Sequence, residues 1–267
     1  MTIAKTKMLH LLKRHFLPIK AHFDYSLVLT YALPQEILRP LLSPGLTLDT
    51  FGDYGFVAIA MVQTRQLRPT FLPALVGQDF FLTGYRIFTR YQSSNGKHLR
   101  GLQILRSDTD KAMMVKFGNL MTGYHYSLAN IEVSNQRPQT FEIKITTPKA
   151  EADLHICADI SQPASSLPIS SPFKDHRDAR KFAGPLPHTF SYEKATNSMV
   201  IVRGLREAWE PMMVDACVLN CTFFNQPKFC GVTPVLASAF YIANIPYRWE
   251  RGVVSKGTIG VPACRSL

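Results

Sequence analysis

The sequence predicts an α+β fold organised around one large, mostly antiparallel sheet. Strand signals outnumber helix signals, at about ten to three or four. Two long apolar-patterned runs face each other across Ser93, Ser94, Asn95 and Gly96, a turn chemistry that marks a β-hairpin. The 267 residues are 46% hydrophobic and include 18 prolines, which suits a turn-rich globular chain of one domain.

The elements follow in order. Residues 24–33 open the sheet, with Tyr25, Leu27, Leu29 and Tyr31 on one side. Pro34 is a suitable first residue for a short helix over 35–42, which Ser43, Pro44 and Gly45 terminate. Residues 46–50 and 55–66 are the next strands, and the length of the second apolar run predicts a buried central position. A proline-punctuated loop over 68–77 leads to the hairpin of 80–91 and 97–106.

The period then changes. Ser107, Asp108, Thr109 and Asp110 form a cluster of capping residues, after which Met113, Met114, Phe117, Leu120 and Met121 recur at helical spacing. That pattern predicts a helix over 109–121 held by one apolar face, with Gly123 supplying the left-handed residue that stops it. Strands over 124–133, 140–146 and 153–160 come next. Residues 161–190 hold Pro163, Pro168, Pro172, Pro185 and Pro187 around a short charged helix, 174–182; such a segment is a lid, a binding loop or a plain connection. Strands over 189–192, 199–203 and 212–224 complete the sheet, and the apolar tail 234–247 is expected to pack as a helix.

A net charge of +11 invites a nucleic-acid or anionic-membrane reading. The 30 basic residues are scattered singly, with no zinc-finger spacing, RNP motif or long basic tract, so no nucleic-acid partner is expected. Basic charge is concentrated only in the N-terminal segment 1–22, where Lys5, Lys7, Lys13, Arg14 and Lys20 alternate with Leu9, Leu11, Leu12, Phe16, Leu17 and Ile19. Such a segment either covers a domain edge as a terminal helix or lies on a membrane surface as a peripheral contact. Lys13 and Arg14 interrupt the apolar run, which argues against a secretion signal, and no run of about 18 apolar residues predicts a spanning helix. Residues 23–267 are read as a single β-rich domain.

Five cysteines, Cys157, Cys217, Cys221, Cys230 and Cys264, are an odd number without a leader, which fits a reducing compartment, and the cytoplasm is the expected location. The spacing of Cys217, Cys221 and Cys230 matches no common zinc pattern, so the cysteines read as small buried hydrophobes and no metal is expected. No cofactor fingerprint is present. The absence of Gly-x-Ser-x-Gly, P-loop, dinucleotide and His-Glu-x-x-His motifs removes the commonest hydrolase, NTPase, dehydrogenase and protease readings.

The runs LPQEILRPLLSPGLTLDTFGDYGFVAIAMV, YRIFTRY, RGLQILRSDTD and GNLMTGYHY carry a family resemblance. Over residues 23–251 the chain resembles the YqjF-like uncharacterised proteins (DUF2071), which are similar at a distance to the acetoacetate decarboxylases. The resemblance implies a β-sheet closed into a double-layered barrel or cone with an internal pocket. In the decarboxylases the matching segment ends in Gly-Phe-Pro-Lys-Lys, whose first lysine forms a Schiff base with the substrate ketone. Here Gly123, Tyr124, His125 and Tyr126 stand in its place, which argues against that mechanism.

Candidate site residues follow from strand period and from this correspondence. Arg86 and Arg90 are four residues apart on one strand and project to one face with Phe88 between them; Arg100 lies on the hairpin partner. Buried guanidiniums need an anion, which a carboxylate substrate supplies in fork geometry; the competing reading has them facing solvent or pairing with Asp108 and Glu142. Asp108 is explained by capping, and through the resemblance it borders the pocket. Lys116 becomes an amine nucleophile if buried among Met113, Phe117 and Leu120, and is otherwise a surface lysine. His125 is a candidate general acid or base, with Tyr124 as a further proton carrier and Tyr126 as a ligand contact. Two classes remain: an enzyme acting on a small oxo acid or related carbonyl compound, and a non-catalytic protein that binds an organic acid or apolar ligand. Homo-oligomeric assembly is left open in both.

Overall fold

The long apolar runs become long strands. The computed structural model describes residues 10–93, 96–137, 139–184, 186–207 and 209–256. In chain order, β1 (Ile19–Pro34) leads through helix α1 (Gln35–Leu38) to β2 (Leu46–Leu48), β3 (Tyr54–Pro69), β4 (Gln78–Gln92) and β5 (His98–Thr109). Helix α2 (Ala112–Met121) precedes β6 (Tyr126–Leu128), β7 (Asn130–Arg137), β8 (Thr140–Thr146) and β9 (Leu154–Asp159). Helix α3 (His176–Ala183) precedes β10 (His188–Glu193), β11 (Ser198–Arg206), β12 (Met212–Met213), β13 (Asp215–Cys221), β14 (Val235–Trp249) and β15 (Val253–Ser255).

The large sheet runs β14-β1-β3-β4-β5-β10-β11, and because β11 also pairs with β14 the seven strands close into a ring. Within the ring β5 and β10 are parallel, and every other pairing is antiparallel. A second sheet, β13-β9-β8-β7, lies over one side of it. The resulting double-layered β architecture matches the expected fold class.

Strand β3 explains why its sequence is apolar on both phases. Phe56, Ala58, Ala60 and Val62 face the inside of the ring, while Val57, Ile59 and Met61 face the second sheet. Between the layers, Leu27, Leu29, Ile59, Met61 and Tyr85 pack on Ile143, Ile145, Leu154 and Ile156, all buried. Each such aliphatic side chain contributes about 1.5–3 kcal/mol by leaving water, so this seam holds the second sheet to the ring.

Three expectations are corrected. The tail 234–247 is not a helix: β14 pairs antiparallel with β1 from Ile19↔Trp249 to Ala32↔Val235. A continuous apolar run fits a buried helix or a strand covered on both sides, and the free edge of β1 decides between them. Helix α2 starts at Ala112 rather than 109, because Thr109 ends β5 and the Asp110 carboxylate accepts the Phe81 N–H at 2.9 Å instead of capping. It docks through Met114 and Gly118, leaving Met113, Phe117 and Leu120 exposed. The left-handed residue after it is His125 (φ 54°), not Gly123.

The boundary expected after residue 22 falls inside β1. Residues 10–18 form a strap before it, pinned where Arg14 donates twice to Glu193 at 2.9 and 2.6 Å and the His15 carbonyl accepts from Gly252 N–H at 2.9 Å. Lys5, Lys7, Leu9 and Cys264 lie outside the described residues. Segment 161–184 plugs one end of the ring: Phe173 and Phe182 interlock with Phe51, Phe56 and Phe88. Among the described residues no helix is long and apolar enough to cross a membrane.

Candidate functional site

Inside the ring, between the aromatic plug and the strap, lies a cavity of about 170 Å³. Its walls are mainly apolar, with Val28, Phe80, Phe88, Phe240, Ile242 and Trp249 prominent. Its polar groups are His15, Arg86, Arg206, Tyr124, Tyr126 and Tyr247, with a few hydroxyls such as Ser107 and Thr189. Two guanidiniums face this space, and no carboxylate is among the described lining residues.

Arg86 is the centre of charge. It lies on β4 in phase with Phe88, pointing inward while Tyr85 and Ile87 point to the second layer. Its guanidinium folds back over Gly84, where a Cβ would stand 2.7 Å from Nε and 2.9 Å from Nη2. The Nε has no hydrogen-bond partner. Burial lowers its pKa, partly offset by the nearby Tyr247, Tyr126 and Tyr124 oxygens, yet an arginine remains charged. Arg206, brought in from β11, donates to the Tyr247 hydroxyl at 3.3 Å and lies 4.8 Å over the Trp209 ring; burial lowers its pKa too.

The phenols are fixed by close backbone approach. Gly118 of α2 rests against the Tyr126 ring and Gly204 of β11 rests against the Tyr247 hydroxyl, so a Cβ at either position would displace a cavity wall. The Asn119 side chain clamps Tyr126 by donating to its carbonyl and accepting its N–H, both at 2.8 Å. Tyr124 and Thr189 line the cavity together. Burial raises both phenols, Tyr126 being pushed up to about 12 despite Arg86, so both are O–H donors at neutral pH.

Of the eight proposed residues, Arg86, Tyr124 and Tyr126 line the cavity together, and the other five lie elsewhere. His125 is exposed between the two inward tyrosines and does not line the cavity. Lys116 is exposed as well, because the helix face that carries it is the one turned outward. Asp108 faces the second layer, where Arg106 Nε bonds its two oxygens at 2.8 and 2.9 Å and Arg106 also reaches Glu151 at 2.8 Å. The reason is a bulge: Tyr85 pairs with Arg106 but Arg86 with Ile104, so the phase of β5 flips and Ser107 rather than Asp108 points inward. Burial raises the Asp108 pKa against the opposing pull of Arg106.

Arg90 and Arg100 do not line the cavity either. They sit opposite each other across β4 and β5 and share one fully buried carboxylate, Asp49, at 2.6 Å each. Arg100 also donates to the Phe182 carbonyl at 3.1 Å and lies over its ring, tying the plug to the sheet. Asp49, Arg206, Tyr247 and His15 were missed in the sequence. His15 is buried at the cavity edge with φ 52° and an unpartnered Nδ1, and burial lowers its pKa. No periodicity in a short strap announces such a placement.

The family model for DUF2071, described as an uncharacterized conserved protein, matches residues 20–244. The chain belongs to the DUF2071 family. No functionally curated protein matches this DUF2071 member. Among solved structures, acetoacetate decarboxylase from Legionella pneumophila is similar over 89% of this chain and 86% of its own, at 11% identity and a TM-score of 0.60. An acetoacetate decarboxylase-like enzyme from Sphingomonas wittichii RW1 is similar over 91% and 94%, at 14% identity and a TM-score of 0.60. MppR, an enduracididine biosynthesis enzyme in complex with pyruvate, is similar over 90% and 88%, at 10% identity and a TM-score of 0.53. The chain thus shares the acetoacetate decarboxylase-like fold.

Proposed function

We propose that this DUF2071 protein binds a small carboxylate or oxo acid inside its ring, with the carboxylate on Arg86 and without a Schiff base. The observation that carries the reading is the Arg86 guanidinium, buried with Nε unpartnered in a cavity whose described lining offers no carboxylate. An anion with two oxygens fits that fork. Tyr124 and Tyr126 add neutral O–H donors, and Arg206 supplies a second positive charge. A cavity of about 150 Å³ holds a benzene-sized body, so the apolar wall is matched by an acid carrying a hydrocarbon or aromatic part beyond the bare oxo group. The reported pyruvate complex of MppR supports the ligand class by analogy.

Binding without turnover is the second reading. It is favoured because no lysine is among the described lining residues, both inward tyrosines are held protonated, and among those described residues His15 is the one of a type that titrates near neutrality. A thermal-shift screen of acetate, pyruvate, acetoacetate and larger oxo acids tests the site. The expected result is a rise in Tm that grows with the apolar part of the acid and resists salt, with no adduct after borohydride treatment. A rise equal in wild type and Arg86→Met would overturn the assignment of Arg86.

A further inference from the structure

A second cluster lies far from the cavity chemistry, on the outward face of the small sheet. The inward residues of that sheet, Ile143, Ile156 and Ala158, pack on the ring. Their neighbours point the other way, and the register aligns Glu142 of β8, Cys157 of β9 and Cys217 of β13 in one row across three strands. His155 stands two residues from Cys157 on the same face, with its Nε2 2.8 Å from Glu142 Oε1. Donor atoms of Glu142, His155 and Cys157 all lie within 4.8 Å of one another. In a chain of net charge +11 this face also carries Asp159 opposite Asp215, with Lys144 opposite His155.

We propose that Glu142, His155, Cys157 and Cys217 form a tetrahedral site for a divalent transition metal of the zinc class. Zinc bonds of about 2.0–2.3 Å at tetrahedral angles place donors about 3.3–3.8 Å apart, close to the spacing of the Glu142, His155 and Cys157 donors, and Cys217 is brought beside Cys157 by the strand register as the fourth. Two thiolates, an imidazole and a carboxylate select zinc, or cobalt and cadmium as substitutes, over magnesium or calcium, which prefer all-oxygen shells. The spacing escaped the sequence because the ligands come from three strands, and Cys217, read there as a small buried hydrophobe, is exposed and stands opposite Cys157. The metal would staple β8, β9 and β13, the layer that covers the ring.

The test is a Co²⁺ titration of the full-length, metal-stripped protein under reducing conditions, followed by Zn²⁺ displacement. One Co²⁺ per chain is expected, with near-ultraviolet thiolate-to-cobalt absorption and intense visible bands that Zn²⁺ abolishes. Cys157→Ser and His155→Ala should remove the tetrahedral spectrum, Cys217→Ser should lower the thiolate band by about half, and Cys221→Ser and Cys230→Ser should leave it unchanged. Far-ultraviolet circular dichroism checks that each variant folds. No thiolate band in wild type, a band that survives Cys157→Ser, or one indifferent to Cys217→Ser would overturn the site as assigned.

Discussion

A buried guanidinium without a counter-ion destabilises the empty protein, and Arg86 is positioned to do so. Replacing it with methionine keeps the stem that packs beside Phe88 and removes the charge. Arg86→Met is therefore expected to raise apo stability, on the order of 1 kcal/mol, while losing the carboxylate-dependent rise in Tm; both are read from one melting experiment. Arg90→Ala and Arg100→Ala should behave in the opposite sense. Each leaves the fully buried Asp49 with a single guanidinium, costing about 1–3 kcal/mol, yet neither touches the cavity, so the ligand-induced shift should persist in both. The sequence made the inward face of Arg86 legible because Phe88 shares its phase. It could not tell depth along the strand: Arg90 has the same phase and lies beyond the cavity's end. Nor could it show the bulge that turns Asp108 away, since a bulge inserts one residue without any mark in composition.

At the scale of elements, the strap over 10–18 matters because it carries His15 to the cavity, and the Arg14–Glu193 ion pair is the charged part of what fixes it. Arg14 lowers the Glu193 pKa by hydrogen bonding, and Thr196 also donates to that carboxylate. A lowered folded pKa means stability that is present above the ordinary glutamate value, about 4.3, and lost as pH falls through the lowered one. The acid limb of the stability profile should thus steepen below about pH 4–5 in wild type and flatten in Glu193→Gln; urea midpoints at a series of pH values measure it, and identical profiles would contradict the pinning role. Most strands were readable because period two and turn chemistry are local. Strand β14 was not, since residues 237–240 are buried on both faces, which hides period two, and its conformation is set by β1, more than two hundred residues earlier in the chain. The dry apolar face expected of α2 was misplaced for a related reason: Gly118, with no side chain, gives the helix its closest approach to Tyr126, so the small residue rather than the large ones marks the docking side.

Over the whole molecule, the ring is unevenly sewn. The pairings of β1 with β3 and with β14 run almost the full length of the strands. The β10–β11 hairpin, in contrast, joins the other ring strands through residues 188–190 against β5 on one side and residues 204–206 against β14 on the other, with β15 added on residues 199–201 of β11. That hairpin supplies Thr189 and Arg206 to the cavity and holds Tyr247 in place through Gly204. Short seams open at lower free energy than long ones, because fewer backbone hydrogen bonds and less buried surface are lost together. The hairpin is therefore the panel of the wall expected to open first, and a ligand that engages Arg206 and Tyr247 from inside should hold it shut. Hydrogen exchange measured by mass spectrometry separates these regions. Amides of 188–190 and 204–206 are expected to exchange faster than those of 25–33 and 56–62 in the empty protein, and to slow when a carboxylic acid that raises Tm is present. Slowing should be absent in Arg86→Met, where the acid no longer binds. Uniform exchange around the ring, or protection by ligand confined to β1 and β3, would place the way into the cavity elsewhere.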